Sequence, residues 1–401
     1  MKIVLATTGS RGDIQPYIAL AWALNKKGYI AVVATHPWAG ELLDSYGVTH
    51  IPVGPMVDTF TREMLALQKK GKAMRSLSMT FNLMLEVLSE CHNDFMRTIQ
   101  DADLVIGHGI SGRAEAEILN KPFVTVSIST IALPKLLWKS PSMRRNIVNW
   151  INHTFLDLMF GRSYLRFRNK LGVPAITNEK QKYLAIIPAS PLIQKTDDSW
   201  LPVTEVAGYF FADPPHGYEP ASEILDFLSK GEKPVFICFG SMKHQGNKVI
   251  KLLKAVEEAL VLSGTRAILL MSDSEARTYN FPDSIFRVDN IPYSWLLDKV
   301  SMVIHHFGFG TTAETLRAGL PAIPVPHLFD QSIRAKEIYH LGMAHRPLSI
   351  NRLSARKLAK AIQNVWADEK MKNTCREAGR QIQSENGLER AVQLIEKFCS
   401  Q

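Results

Sequence analysis

Three short clusters in this 401-residue chain combine residue types that can do chemistry. Gly9-Ser10-Arg11-Gly12-Asp13 lies between an apolar run and a stretch of helical periodicity. Glycines let such a turn approach a ligand closely, and a helix start aims backbone N–H groups at an anion. Arg11 adds a permanent cation suited to phosphate. Asp13 reads either as part of that site or as an acid that merely caps the helix start. The second cluster is His305-His306-Phe307-Gly308-Phe309-Gly310-Thr311-Thr312, which follows the apolar run Met302-Val303-Ile304. Gly308, Gly310, Thr311 and Thr312 at the start of a helix suit a diphosphate. A histidine there can donate to a phosphate oxygen as charge grows on a leaving group. Neighbouring strand residues point to opposite faces, so His305 and His306 are not expected to share a metal ion. One is expected in the core, the other at the site. The third cluster, Asp330-Gln331, offers acceptors and donors for adjacent sugar hydroxyls, and a loop turn explains it equally well. His108, in Val105-Ile106-Gly107-His108-Gly109, reads as an alternative base or orienting partner, or as a buried strand-end histidine.

The elements that must hold these clusters alternate between short β-rich runs and longer amphipathic stretches, the rhythm of parallel sheets with helical crossovers. Residues 2–7, 29–34, 103–107 and 122–127 read as buried strands, and Pro16 to Lys27 as a helix stopped by Gly28. The rhythm restarts at 234–239 and continues at 266–271, 285–288, 301–305 and 321–325. A strand followed by Gly-Ser occurs twice, at Gly9-Ser10 and Gly240-Ser241, as two similar Rossmann-like halves would give. Residues 188–220, rich in Pro, Asp and Gly, read as a linker, and 388–398 as an amphipathic helix.

Composition narrows the class. Hydrophobic residues at 46% and charged residues at 21% are the balance of a soluble globular protein, with length for two domains. No apolar run reaches the ~18 residues of a membrane helix, and the N-terminal apolar run is too short for a signal peptide. Cys91, Cys238, Cys375 and Cys399 are scattered, against a disulfide framework or zinc site and in keeping with a reducing, cytoplasmic setting. The net charge of +9 fits an anionic donor, an anionic membrane surface or a solvated basic surface. Nucleic acid is not expected, since no motif for it is present. Residues 136–171 interleave Lys139, Arg144, Arg145, Arg162, Arg166, Arg168 and Lys170 with six aromatics. Such a segment can lie peripherally on a membrane or cover an apolar acceptor, and it also fits two surface helices. The glycines miss the Gly-x-Gly-x-x-Gly dinucleotide fingerprint, and Ala34-Thr35-His36 ends the second strand without an acid for a ribose. That disfavours a dehydrogenase.

Taken together, Gly9-Ser10-Arg11-Gly12-Asp13-Ile14-Gln15-Pro16, Phe239-Gly240-Ser241 and the stretch from Asn290 to Gln331 resemble the family 1 glycosyltransferases of the GT-B fold. The likeness is to their bacterial antibiotic and sterol glucosyltransferase branch. It implies an α/β protein of two Rossmann-like domains whose parallel sheets face across a cleft. The acceptor domain would be 1–205 and the nucleotide-sugar domain 206–385, with 386–401 a helix returning to the first. By the same resemblance, His306 contacts the diphosphate in a cradle of Gly308, Gly310, Thr311 and Thr312. Glu314 falls at the ribose, Asp330 and Gln331 at the sugar, and Ser241 on the other donor-side loop. Ser10, Arg11 and Gly12 approach the diphosphate, and Asp13 matches the general base. Two departures stand out. Phe307 replaces a glycine of the bacterial box, and the place where the plant box carries a base-stacking Trp falls here near Asn290, which leaves Ile291, Tyr293 or backbone groups to meet the base.

The reaction so implied is inverting, metal-independent transfer of a hexose, glucose from UDP-glucose foremost, to the hydroxyl of a lipophilic acceptor such as a sterol, macrolide, flavonoid or lipid. No cofactor is expected beyond the nucleotide-sugar co-substrate. A sugar-nucleotide 2-epimerase of the same fold and a non-catalytic lipid- or partner-binding subunit are the rival readings.

Overall fold

The computed structural model describes residues 1–55, 73–128, 160–173, 183–196, 200, 203–212, 218–239 and 247–400. Ser241 and residues 136–159 of the basic, aromatic segment lie outside the described residues. The chain divides into two compact units, Met1–Ala212 with Glu385–Gln401, and Asp213–Ser384.

The first unit is built on seven parallel strands: β1 (Lys2–Ala6), β2 (Ile30–Thr35), β3 (His50–Pro52), β4 (Leu104–His108), β5 (Phe123–Val126), β6 (Tyr183–Ile187) and β7 (Thr204–Val206). Their order is β3-β2-β1-β4-β5-β6-β7. β1 is flanked by β2 and β4, so the direction of winding reverses there. Side-chain alternation sends Ile3 and Leu5 into one apolar layer and Val4 and Ala6 into the other. The first layer is closed by α1 (Arg11–Lys26) and the second by α2 (Ala73–Ile99), with the short α3 (Arg113–Ile118) beside it.

Two expectations are corrected here. The helix after β1 starts at Arg11, five residues before Pro16. Ser10 takes the N-cap, and the Asp13 carboxylate accepts both the Ser10 N–H and its hydroxyl at 2.8 Å. That closed start outweighs the one backbone bond lost at Pro16. The 188–220 stretch is not linker throughout, because Thr204–Val206 is the edge strand β7, paired in parallel with β6. Thr204-Glu205-Val206 is polar in two of its three residues and gives no apolar run to mark a strand.

The C-terminal helix, Gly387–Cys399, belongs to this first unit. Ala391, Val392, Leu394, Ile395 and Phe398 enter the same apolar layer as Leu20 and Leu24 of α1. Its first residue touches the chain end after β7, where a Cβ on Gly387 would lie 2.4 Å from the Tyr209 carbonyl oxygen.

The second unit carries β8 (Val235–Cys238), β9 (Ala267–Leu270), β10 (Ile285–Val288), β11 (Val303–His305) and β12 (Ala322–Pro324) in the parallel order β10-β9-β8-β11-β12. Here the reversal falls at β8, between β9 and β11. Helices Asn247–Ser263 and Ala355–Ala367 cover one face. Ile224, Phe227, Leu296 and Leu297 help cover the other. α4 (Phe309–Arg317) follows β11, and α5 (Phe329–His340) follows β12. In open parallel sheets ligands bind beyond the carboxyl ends of strands at such reversals. Those ends are the Gly9 and His108 loops in one unit, and the Phe239 and His306 loops in the other.

The close approach at Gly387 predicts that Gly387→Ala forces the helix off its seat. A clash of this kind costs about 1–3 kcal/mol, and the urea midpoint of the variant should fall accordingly. An unchanged midpoint would show that the seat yields freely.

Candidate functional site

In the first unit, the turn after β1 brings Asp13 back over Gly9. Gly9 has φ +125°, and a Cβ there would lie 2.6 Å from Asp13 Oδ2. A glycine is therefore required for the carboxylate to sit where it does. One helical turn later, the buried Tyr17 donates its hydroxyl to the Val126 carbonyl at 2.7 Å. Burial, and then the Asp13 charge, push the Tyr17 phenol well above its ordinary value, so it stays a donor. Its ring packs 5.5 Å from that of His108, which ends β4 and faces Thr7 Oγ1 through Nδ1 at 3.5 Å. Asp13 and His108 thus share one patch, joined by Tyr17. Ser10 and Gly12 are half-buried and Arg11 is exposed at the same loop. Asp13 thus caps the helix start at the strand-end loop.

In the second unit, β11 ends at His305 and the chain turns sharply. Phe307 has φ +64°, the left-handed region that disfavours any side chain with a Cβ. Its fully buried ring stacks on His305 at 4.2 Å, and its N–H donates to His305 Nδ1 at 3.2 Å. Arg334 of α5 donates to the Phe307 carbonyl at 2.8 Å. Gly308 is the N-cap of α4, and a Cβ there would lie 2.3 Å from His306 Nε2. The imidazole of His306 therefore rests on the helix start.

Neither histidine faces open solvent; His305 is 0% and His306 8% exposed. Burial, with His306 and Arg334 adding to it, holds His305 well below its ordinary value. Burial, then the Arg334 charge, lowers His306 to about 4 against a contact with Cys238 that works the other way. His306 is thus a neutral donor at neutral pH. The side-chain nitrogens His305 Nε2 and His306 Nδ1 are buried without a hydrogen-bond partner. Such atoms are costly to leave unmatched, and a bound oxygen acceptor would satisfy one of them.

The cradle has unequal members. Thr312 directs both its N–H, at 3.0 Å, and its hydroxyl, at 2.8 Å, to the Gly308 carbonyl. Thr311 gives its carbonyl to the Thr315 hydroxyl. The first-turn N–H groups of Gly310 and Thr311 are those a helix offers to an anion. Glu314 is half-buried and held by Arg317 at 2.8 Å. Burial raises its carboxyl and Arg317 opposes the rise. At the start of α5, Asp330 is exposed and 3.7 Å from Arg334. Gln331 is buried, and its Oε1 accepts the N–H groups of His327 and Leu328 at 2.9 and 3.0 Å. Gln331 is therefore tied into the loop through its oxygen. Ile291 is 3% exposed in the apolar layer with Leu296 and Leu297, so only its backbone can address a base. Arg334 is a site residue that the sequence does not reveal. It carries no motif of its own, and a long-range contact brings it to the turn.

Among the described residues no group of three or more His, Cys, Asp or Glu is arranged to hold a metal ion. None of their helices is long and apolar enough to cross a membrane.

Comparison with known proteins agrees with this layout. Residues 3–89 match the Glycosyltransferase family 28 N-terminal domain, and 257–396 match the Erythromycin biosynthesis protein CIII-like C-terminal domain. The solved glycosyltransferase VinC, in complex with dTDP, is similar over 100% of both chains with a TM-score of 0.70 at 19% identity, which shows the GT-B fold. A sterol 3-beta-glucosyltransferase of Cryptococcus neoformans is 31% identical over 98% of this chain, which spans only 27% of that relative's length. O-mycaminosyltylonolide 6-deoxyallosyltransferase of Streptomyces fradiae is 27% identical over 100% of this chain and 98% of its own. The chain belongs to the family 1 glycosyltransferases of the GT-B fold, among the relatives of sterol and antibiotic glycosyltransferases.

The depressed His306 value has a consequence for acid stability. Since the folded-state value lies below the unfolded one, the unfolded chain binds the proton first as pH falls. This group's contribution is full above pH 6.5 and declines down to about pH 4, by about 3 kcal/mol. Urea midpoints measured from pH 7.5 to 4 should fall less steeply for His306→Gln than for the unaltered chain. Parallel curves would refute a buried, neutral His306.

Proposed function

We propose that this chain is an inverting glycosyltransferase that moves a hexose, glucose from UDP-glucose, to a hydroxyl of a lipophilic acceptor of the sterol or macrolide kind. The observation that carries the reading is the turn at His306–Gly308, where a neutral imidazole lies on the start of α4. A nucleoside diphosphate would place its oxygens against the His306 imidazole and the N–H groups of Gly310 and Thr311. The leaving diphosphate gains negative charge as the glycosidic bond breaks, and those donors stabilise it. The named activities of the fungal and Streptomyces relatives support sugar transfer to such acceptors.

Asp13 takes the acceptor proton as the hydroxyl attacks the anomeric carbon from the face opposite the leaving group. His108, beside Tyr17, orients the acceptor hydroxyl. Glu314 meets the ribose through its carboxylate, and Asp330 with the Gln331 amide meets the sugar. No metal is needed where neutral donors and a helix start carry the leaving-group charge, so a chelator should leave turnover unchanged.

A thermal-shift panel of UDP, dTDP, UDP-glucose and dTDP-glucose tests the donor class. A ligand at ~100 times its Kd should stabilise the fold by about 2.7 kcal/mol. UDP compounds are expected to act at lower concentration than dTDP compounds. The reverse order would reassign the base, and no shift with any of them would remove the reading. Asp13→Asn is expected to lower turnover ~10²–10⁴-fold with UDP affinity unchanged. Near-normal turnover in that variant would take the base role from Asp13.

A further inference from the structure

Helices Asn247–Ser263 and Ala355–Ala367 lie side by side over one face of the second unit's sheet. Helical spacing turns Leu253, Val256 and Leu260 of the first, and Leu358, Ile362 and Val365 of the second, into the shared core. The same spacing turns Lys251, Lys254, Glu258, Val261 and Leu262 outward on the first and Arg356 and Lys360 outward on the second, all of them exposed. Gln363 Nε2 donates to the Leu262 carbonyl at 3.4 Å, which joins the two stripes into one surface. Its charge is one-sided. No Asp or Glu occurs between Glu337 and Asp368, a stretch that holds Arg346, Arg352, Arg356, Lys357 and Lys360. Of the neighbouring acids, Glu257 accepts the Tyr279 hydroxyl at 2.5 Å, Glu369 pairs with Lys372 at 2.7 Å, and Asp368 accepts the Met371 N–H at 2.9 Å. Glu258 is the acid left within the surface. Among the described residues, Lys251, Lys254, Arg356 and Lys360 have no ion-pair partner. Arg356 and Lys357 stand in the first turn of their helix, where cations oppose the macrodipole, so helix stability does not account for them.

Val261 and Leu262 stand out of this basic surface, 70% and 54% exposed in the last turn of their helix. A single exposed aliphatic chain is ordinary, but an adjacent pair set among cations is the composition of a surface that meets lipid. A soluble polyanion such as a nucleic acid would reward the cations and offer the aliphatic pair nothing. An anionic bilayer rewards both, through its phosphates and through the acyl boundary beneath them. We propose that the outward face of these two helices docks peripherally on an anionic lipid bilayer, its cations meeting lipid phosphates while Val261 and Leu262 enter the acyl boundary. The face lies on the outside of the helix layer, not at the strand ends that carry the His306 turn. The inference goes beyond the transfer reaction and does not rest on it.

Co-sedimentation of the full chain with vesicles tests it, with phosphatidylcholine alone in one arm and equal parts of phosphatidylcholine and phosphatidylglycerol in the other. Partition onto the anionic vesicles should exceed that onto the neutral ones at least about tenfold and weaken as salt is added. Arg356→Gln with Lys360→Gln should lower it about 10–30-fold, the loss of two cations at a charged surface. Val261→Ser with Leu262→Ser should lower it at least about tenfold, while retention on heparin, a polyanion without lipid, stays the same. These positions are exposed, so the substitutions should leave the urea midpoint in place. In the unaltered chain, anionic vesicles should also slow acetylation of Lys254 and Lys360, read by mass spectrometry. No partition onto anionic vesicles, partition that survives loss of Arg356 and Lys360, or unslowed acetylation at both lysines overturns the docking surface. A Val261/Leu262 double variant that keeps its full vesicle partition overturns the lipid assignment in favour of a soluble polyanion.

Discussion

The turn from His305 to Gly308 is the constraint on which the second unit's chemistry depends. It reverses the chain within three residues of the strand end, which leaves no room for a side chain on Gly308 and drives Phe307 into the left-handed region. A left-handed phenylalanine is unfavourable by itself. Here the stack on His305 and the Arg334 hydrogen bond to the Phe307 carbonyl over-determine it. Arg334 also stands 3.7 Å from Asp330 on the same helix. The His306–Gly308 turn and helix α5 are thus mechanically one piece, and neither can shift far without the other.

That arrangement has an electrostatic side. A protonated histidine would attract a diphosphate more strongly, but burial and Arg334 keep His306 neutral. A neutral imidazole gives one directed N–H to an anion and needs no counter-charge when the site is empty. The permanent cation stays one layer back, in Arg334, where its field reaches the turn while its hydrogen bond is used on the backbone. The first unit follows a similar logic with the sign reversed. Asp13 is anchored by Ser10, and Tyr17 behind it remains a hydrogen-bond donor to Val126 and a spacer against His108.

Much of this was legible in the sequence, and the reasons are specific. The buried strands β1, β2, β4, β5 and β8 through β12 are near-continuous apolar runs, and each was located to within about two residues at either end, the usual uncertainty of such boundaries. β3 (His50–Pro52) and β7 (Thr204–Val206) carry His50, Thr204 and Glu205 and lack the apolar run that marks the equally short β11 and β12, so β7 reads as linker. Glycine-rich strand ends betrayed the sites because close approach leaves few substitutes there. What spacing could not give was the use made of each polar atom. Thr312 and Gln331 read as ligand contacts, yet Thr312 turns its hydroxyl and N–H to Gly308, and Gln331 turns its oxygen to the 327–328 backbone. Ile291 read as a candidate for the base and is core. Arg334 has no local signature, because its partner lies 27 positions away in the chain.

The C-terminal helix gives the first unit an unusual history. Its apolar layer is closed by residues made after all 172 residues of Asp213–Ser384 have been synthesised. At ~5–20 residues per second on a ribosome, α1, finished at Lys26, waits roughly 20–70 s for the helix that starts at Gly387. Through that interval the second unit, contiguous in sequence, can complete itself while the first stays open on one side. The order of maturation is therefore inverted relative to the order of synthesis. A nascent chain stalled before Glu385 would present the Leu20 and Leu24 surface to chaperones, while its second unit could already be whole.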